Sequence, residues 1–310
     1  MMEEREIKEL LERSFDMHFH IGPDILPRKY NMEELIKEQE GRIAGVALKA
    51  HSFPTITAIN AAKKNVDGDI KLIGSLTLNY FMGGFNSSAI YASAVMSKKF
   101  PIIVWFPTVH AENHLRKNKS KFEFPPEWVK DPSFVARKKT ELRAIKVTDW
   151  NNKLFEKCER VLKMIKKMDC ILATGHLSWK ESEVLATEAL EMGIPVIITH
   201  PMQRDIRMPL KVQKKLAEKG AYIEYCYIMY LDRDNPEDYP LEEQVKCMRE
   251  IGLDKVILTS DGGQVRNPSP SECLEAYVKL LQKHGLEEKD FHQMLVKNPK
   301  EILKQPLHVD

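Results

Sequence analysis

The fold class that this sequence predicts is α/β, a (β/α)8 TIM barrel with an insertion between strands four and five. Three observations carry it. Eight short, β-rich apolar runs recur along the chain, amphipathic segments with helix start and stop signals lie between them, and the runs are spaced like βαβ crossovers. The runs are 14–21, 43–51, 71–80, 102–110, 170–177, 195–200, 221–227 and 256–261. Several are almost continuously apolar, as strands covered on both faces are. Starts at 14, 43, 71 and 102 lie 28 to 31 residues apart, and those at 170, 195, 221 and 256 lie 25 to 35 apart. Eight such units in about 250 residues are the arithmetic of the barrel. An open doubly wound sheet is the rival. No Gly-x-Gly-x-x-Gly or Walker A loop follows any strand, which weakens its nucleotide-binding form.

The helices follow from their ends. Ser178 and Glu181 form a capping box for a helix that runs to Met192, with Gly193 just beyond. The segments 208–219, 241–251 and 269–284 stop at Gly220, Gly252 and Gly285. Asn86 reads as the cap of a helix through Lys98, and Asn298-Pro299 as cap and first-turn proline of a last short helix. The long gap before strand five holds a Lys/Pro-rich stretch at 114–131, a β-like segment at 141–148 and a helix at 153–167. It reads as an insertion at about residues 112–150, a hairpin and loop over one end of the barrel. With no low-complexity linker, residues 1–310 read as one domain.

Composition narrows the function. The chain has 310 residues, with 47 Lys+Arg against 45 Asp+Glu and a net charge of +2. That balance argues against a nucleic-acid binder working through a global positive field. No run of 18 apolar residues exists, so no membrane helix is expected, and the charged N-terminus lacks the apolar core of a signal peptide. Five scattered cysteines with no Cys-x-x-Cys argue against a disulfide framework and make a reducing cytoplasm the default. The expected partner is a small-molecule substrate, without nucleic acid or membrane. A homo-oligomer is compatible with a barrel of this size.

A barrel of this kind carries its chemistry at the C-terminal ends of the strands. His18 and His20 end strand one, His51 strand two, His110 strand four and His200 strand six; His176 lies near the end of strand five, and Asp261 ends strand eight. The i, i+2 spacing of His18 and His20 points both imidazoles to one face. Neutral imidazoles side by side suit a divalent metal, zinc first by ligand type, with Mn, Fe or Ni as alternatives. A pair of ordinary polar strand-end residues, and for Asp261 a turn aspartate before Gly262-Gly263, are the plain alternatives. Lys49, two residues before His51, faces inward with it. A buried lysine has its charge compensated or its pKa lowered. It is either carboxylated and bridges metals, or cationic and binds an anionic substrate; a lysine snorkelling from the rim is the simple alternative. Glu224 on strand seven, Arg204 after strand six and His110 are candidate substrate contacts. His114 and Arg116, after strand four, read first as a solvated loop. Cys226 reads as core filler.

His-x-His on strand one, single histidines on strands five and six and Asp on strand eight resemble the ligand arrangement of the amidohydrolase superfamily. The resemblance spans Asp16 to Asp261, and 296–303 resembles that superfamily's closing segment. More narrowly, the runs at 16–24, 48–51, 174–178 and 260–263 resemble an amidohydrolase-related group with no assigned substrate. The resemblance implies that His18 and His20 bind a buried metal, that His176 and His200 bind a second or share one, and that Asp261 is ligand and general base. The departure is on strand four. Binuclear members place a carboxylated lysine or a glutamate there, whereas this strand ends at His110, with Glu112 two residues on. Either substitutes, or the bridge is absent.

The expectation is a metal-dependent hydrolase with one or two divalent ions. It would attack an amide, lactone or ester-like bond of a small molecule, with Asp261 and Lys49 as catalytic groups. One rival is a phosphoesterase like the polymerase and histidinol phosphatase (PHP) family, with His51 on a third metal; the Asp-x-His expected late in that family is absent. Others are a non-catalytic metal-binding barrel acting as a ligand sensor, and a decarboxylase.

Overall fold

A computed structural model describes residues 1–97, 100–124, 128, 137–231 and 240–304. Eight parallel strands follow one another in chain order. They are β1 Phe15–His20, β2 Gly45–Lys49, β3 in two pieces (Lys71–Ile73 and Ser75–Thr77), β4 Ile103–Trp105, β5 Ile171–Ala173, β6 Val196–Ile198, β7 Tyr222–Cys226 and β8 Val256–Thr259. Each pairs with the next; the first piece of β3 pairs with β2 and the second with β4. Across the break, Ser75 Oγ donates to Leu48 O (2.5 Å) and Thr77 Oγ1 to Ala50 O (2.7 Å), so hydroxyls replace the missing ladder. Asp261 N–H to His18 O and His20 N–H to Gly262 O, both 2.9 Å, join β8 to β1 and close the barrel.

The helices are α1 Glu4–Leu11, α2 Met32–Gln39, α3 Thr55–Ala62, α4 Ser87–Met96, α5 Glu112–Lys117, α6 Glu156–Lys167, α7 Trp179–Glu191, α8 Leu210–Glu218, α9 Leu241–Ile251, α10 Pro270–Leu281, α11 Glu288–His292 and α12 Asn298–Ile302. Among the described residues, none is long and apolar enough to cross a membrane. Strand alternation sorts the core into two layers. Phe15, Met17, Ala47, Ile73, Ile103, Trp105, Ile171, Ala173, Ile197, Tyr222 and Ile257 fill the barrel, with Ile302 and Leu303 from the closing helix packed on them. Val46, Leu48, Val104, Phe106, Leu172, Val196, Ile198 and Leu258 face the helices.

The sequence places most elements within a few residues. Ser178 caps α7 with Glu181, Asn86 caps α4, and Gly193 takes φ +70° past α7. Lys98, the expected end of α4, lies outside the described residues. Two expectations fail. The segment 141–148 is not a strand: it follows a 3-10 turn at Lys139–Glu141 and holds single bridges, Ala111 to Ile145 and Thr148 to Leu154. In the expected insertion, α5 begins only two residues after His110, and the stretch at 114–131 is described only as far as 124 and at 128.

Asn298 is the other correction. It is the first residue of α12, followed by the first-turn proline, but it is not a cap: it is helical itself and sits in a run continuous from Glu288 through a π turn at Gln293–Lys297. Its fully buried side chain instead donates to Leu253 O (2.8 Å) and Val256 O (2.6 Å) and accepts from Gln293 Nε2 (2.6 Å). The following proline is tolerated because the π turn has already disrupted the regular ladder. Asn298→Ala strands two buried carbonyls and is expected to cost about 1–3 kcal/mol in urea unfolding. A cost below about 0.5 kcal/mol would show that these contacts contribute nothing net.

Candidate metal centre

The site begins with an irregularity in β1. Asp16 pairs with Val46 and Phe19 with Leu48, so Met17 and His18 together oppose Ala47. This β-bulge switches the alternation. Phe15 and Met17 face the barrel interior below it, His18 and His20 face it above, and Phe19 packs outward. Ordinary alternation then carries Lys49 inward two residues after Ala47, and Glu224 two residues after Tyr222.

His18 is the hub. Its Nδ1 lies 3.0 Å from Glu224 Oε1, and its Nε2 lies 3.0 Å from Asp261 Oδ1 and 2.9 Å from Lys49 Nζ. An ionised Glu224 can only accept, so Nδ1 carries a proton, while Nε2 faces Asp261 and Lys49. Glu224 also accepts from His200 N–H and Thr259 Oγ1, both at 3.1 Å. Asp261 Oδ1 reaches His20 Nε2 as well, at 3.2 Å. Ring centres lie 5.4 Å apart for His18 and His20, 4.8 Å for His20 and His51, 6.1 Å for His18 and His200, and 5.1 Å for His176 and His200. The structure thus gathers His18, His20, His51, His176, His200, Lys49, Glu224 and Asp261 at one end of the barrel.

Local backbone serves this placement. His200 (φ +27°) and Asp261 (φ +49°) are non-glycine residues in the left-handed region, a strain that persists where surrounding structure holds it. Gly175 and Gly263 are required: a Cβ on the first would strike Phe106 O, and on the second His20 O. These approaches bring the turns bearing His176 and Asp261 against their neighbours.

Other sequence candidates sit differently. His110 is buried with both ring nitrogens engaged: Nδ1 accepts from Tyr80 N–H (3.0 Å), which leaves Nε2 to donate to Glu123 Oε2 (3.1 Å). Glu112 pairs with Lys146 at 2.9 Å, so neither stands in for a strand-four bridging ligand. Arg204 lies exposed on the loop after β6. Residues to which the sequence assigns no role are Asp24 and Arg28. Asp24 lies within 4.8 Å of His20 and His51 in a candidate ligand group, yet its oxygens are spent. They accept from Ile25, His51 and Ser52 N–H, from Ser52 Oγ (2.7 Å) and from Arg28 Nη2 (2.7 Å). Asp24 holds the strand-two turn rather than a metal. The aspartate followed at i+4 by arginine was its visible signal.

The electrostatics suit a cation. Burial holds the imidazoles of His20, His51 and His176 well below their ordinary range and His200 down to about 4, so these rings are neutral and their lone pairs available. Burial raises Asp261 and Glu224, but the neighbouring imidazoles, His18 above all, more than reverse this, and both stay ionised. Burial lowers Lys49, with Asp261 and Glu224 partly opposing. Nδ1 of His20, Nδ1 of His176 and both nitrogens of His200 are buried without a hydrogen-bond partner. Orphaned imidazole nitrogens beside a carboxylate are the donor set of a divalent-metal site, so the residues fit that group.

Solved structures share the architecture. An amidohydrolase from Pseudomonas aeruginosa superposes with a TM-score of 0.63 at 12% identity, covering 96% of this chain and 98% of that one. Dipeptidase AC, a metallopeptidase, gives 0.60 at 13% identity over 94% and 98%. The phosphotriesterase homology protein from Escherichia coli, complexed with phosphate in its active site, gives 0.51 at 13% identity over 94% and 98%. These likenesses show the shared fold, the (β/α)8 barrel that the sequence predicts. A comparison with curated proteins found no match. The chain belongs to the family of unknown function DUF6282, whose model matches residues 13–224.

The clamp around His110 carries a pH prediction. Burial raises Glu123, but hydrogen bonds from His110 and Arg137 outweigh it and bring the carboxyl down to about 2. Its folded pKa is therefore depressed, and its contribution is complete above the ordinary value near 4.5 and lost as pH falls toward 2. Glu123→Gln is expected to lower unfolding stability by about 1–3 kcal/mol at pH 7. The gap to wild type should shrink between pH 4.5 and 2; a gap that stays constant would refute the linkage.

Proposed function

We propose that this chain is a metal-dependent hydrolase of the amidohydrolase type, cleaving an amide, lactone or ester-like bond of a small molecule with water. The supporting observation is the convergence of His18, His20, His176, His200 and Asp261 in one buried cluster in which four imidazole nitrogens are unpartnered. His18, His20 and Asp261 would hold one ion, and His176 and His200 a second or part of the first, zinc being first by ligand type. A divalent ion supplies Lewis-acid polarisation of the scissile bond and lowers the pKa of water it contacts.

The chain's own groups do the rest. Asp261, held ionised, takes the proton of the attacking water and returns it to the leaving group. Glu224 keeps the His18 proton on Nδ1 and so aims Nε2 inward. Its oxygens are taken by His18 Nδ1, His200 N–H and Thr259 Oγ1, which makes it a positioning residue rather than the substrate contact expected from sequence. Lys49, with Nζ 4.2 Å from the Trp105 ring centre, balances the two carboxylates and would attract an anionic substrate group. Arg204 stands at the rim as a second anion contact. Five free, buried cysteines support work in the cytoplasm.

A second reading, a phosphoesterase of the PHP type, is favoured by His51, which adds an imidazole 4.8 Å from His20. Three bound metals and turnover of phosphoesters alone would establish it. A ligand-sensing barrel would bind a small molecule tightly and turn over nothing.

Elemental analysis of the purified protein is expected to find one or two equivalents of a divalent metal, fewer in His176→Ala, and to lose the tightest ion in His18→Ala/His20→Ala. Protein that neither carries metal nor takes up Zn²⁺ or Mn²⁺ would refute the hydrolase. On whichever amide, lactone or phosphoester proves active, Asp261→Asn is expected to lower kcat about 100- to 10,000-fold with folding intact. Full activity in that variant would remove Asp261 as the base.

A further inference from the structure

Which nitrogen of a neutral imidazole carries the proton is set by what its other nitrogen meets. At His18, Nδ1 meets the carboxylate of Glu224, which only accepts. At His51, Nδ1 meets a hydroxyl, Thr108 Oγ1, at 2.9 Å. A hydroxyl can donate or accept, so the next residue out decides. That residue is Asn79, fully buried just past β3. Its Oδ1 accepts from the N–H of Thr108 (3.0 Å) and of His110 (3.4 Å), and its Nδ2 donates to His51 O (3.1 Å). N–H donors on one side and a carbonyl on the other leave the amide a single orientation. Asn79 Nδ2 therefore also donates to Thr108 Oγ1, at 2.8 Å.

The hydroxyl thus accepts from the amide, and its own proton needs an acceptor. Thr108 is fully buried, where a donor left unpaired is costly, and the lone pair of His51 Nδ1 is the acceptor that the structure offers. The His51 ring is 3% exposed. The neighbouring Asp24 carboxylate is balanced by Arg28 at 2.7 Å and is spent on backbone donors, so no counter-charge is left for a buried imidazolium. His51 is neutral with Nδ1 accepting, which puts its one proton on Nε2. A ligating imidazole has the opposite arrangement: its outer nitrogen donates and its inner one keeps the lone pair. Glu224 gives His18 the first half of that arrangement, and Thr108 denies it to His51.

We propose that His51 is a hydrogen-bond donor to substrate rather than an ion ligand. Its Nε2–H would meet the substrate oxygen that gains negative charge as the scissile bond is attacked, and Thr108 and Asn79 are the positioning residues that fix this tautomer. This rests on the metal-dependent reading and replaces the ligand role that the sequence gives His51. The ring stands beside His20, with centres 4.8 Å apart, at the edge of the first ion's ligand set. A donor already oriented there needs no rearrangement as charge develops, the condition under which such groups lower a barrier most. It also takes His51 away from the third ion of the phosphoesterase reading.

Nitrogen-15 NMR of full-length, zinc-loaded protein labelled at histidine reads the tautomer, and titration of metal-free protein with Zn²⁺ reads the ligand count. In wild type the His51 signals, assigned by their loss in His51→Ala, are expected to show a protonated Nε2 and a bare Nδ1. His51→Ala is expected to bind as many equivalents of Zn²⁺ as wild type, with affinity reduced by less than the roughly 10-fold that loss of even an outer partner costs. On the substrate that proves active, it should lower kcat about 100- to 1,000-fold at unchanged metal content. A proton on Nδ1 in place of Nε2, a lost zinc equivalent, or full kcat in His51→Ala would overturn the donor role and leave the metalloenzyme standing. Wild type that takes up no Zn²⁺ would overturn both. Should His51→Ala fail to fold, Thr108→Val assigns the ring, because His51 is the imidazole bonded to that hydroxyl. The histidine whose signals respond is expected to carry its wild-type proton on Nε2, and a wild-type proton on Nδ1 overturns the donor role.

Discussion

The arrangement of the barrel mouth depends on how the imidazole of His18 is held. Glu224 takes one ring nitrogen and Asp261 faces the other, while Lys49 approaches the same nitrogen as Asp261. All these groups are buried or nearly so, where an unpaired charge costs several kcal/mol. The hub therefore makes sense only as a set: carboxylates on two strands compensate the lysine and the ring on two others. Because β1, β2, β7 and the turn after β8 each contribute one member, the cluster spans the four neighbouring strands around the closing seam of the barrel.

The seam itself shows how the fold supports the chemistry. Asp16 accepts from Ser260 N–H (3.0 Å), from Ser260 Oγ and from His18 N–H (3.2 Å), which joins β8 to the bulged β1. Burial carries this carboxyl up to about 7 against those hydrogen bonds. The bulge that turns His18 inward is the place where the ladder between β1 and β2 slips. Asp16 compensates by bonding across the seam. Structural and functional demands meet within three residues, and each limits what the others can become.

The connection after β4 is where this chain departs from the arrangement its sequence resembles. Superfamily members with two metals draw a bridging group from strand four, whereas here that strand's end is occupied by a structural clamp of His110, Glu123 and Arg137. The clamp fixes the turn from which α5 begins, and Asn113 docks α5 across the neighbouring turns. A rigid turn followed by a docked helix sets His114 beside His176, with ring centres 5.2 Å apart.

The sequence by itself determined the repeating unit and the strand-end chemistry. Short, nearly continuous apolar runs, capping residues and stop glycines are local signals, so the eight strands and the helices bounded by Ser178, Asn86 and Gly252 were legible without neighbours. The strand-end histidines and Asp261 were legible because barrel geometry converts position in a repeat into position in space. Tertiary structure decided what depends on partners far apart in the chain. Asn298 looked like a cap and became an interior bridge to the β8 entrance. Glu224 looked like a substrate contact and became the residue that orients His18. Asp24 became saturated by the turn after β2, and His114 was drawn from an apparent loop to the side of His176. A carboxylate's or imidazole's role is set by which of its lone pairs remain unspent, and only the packed barrel assigns those.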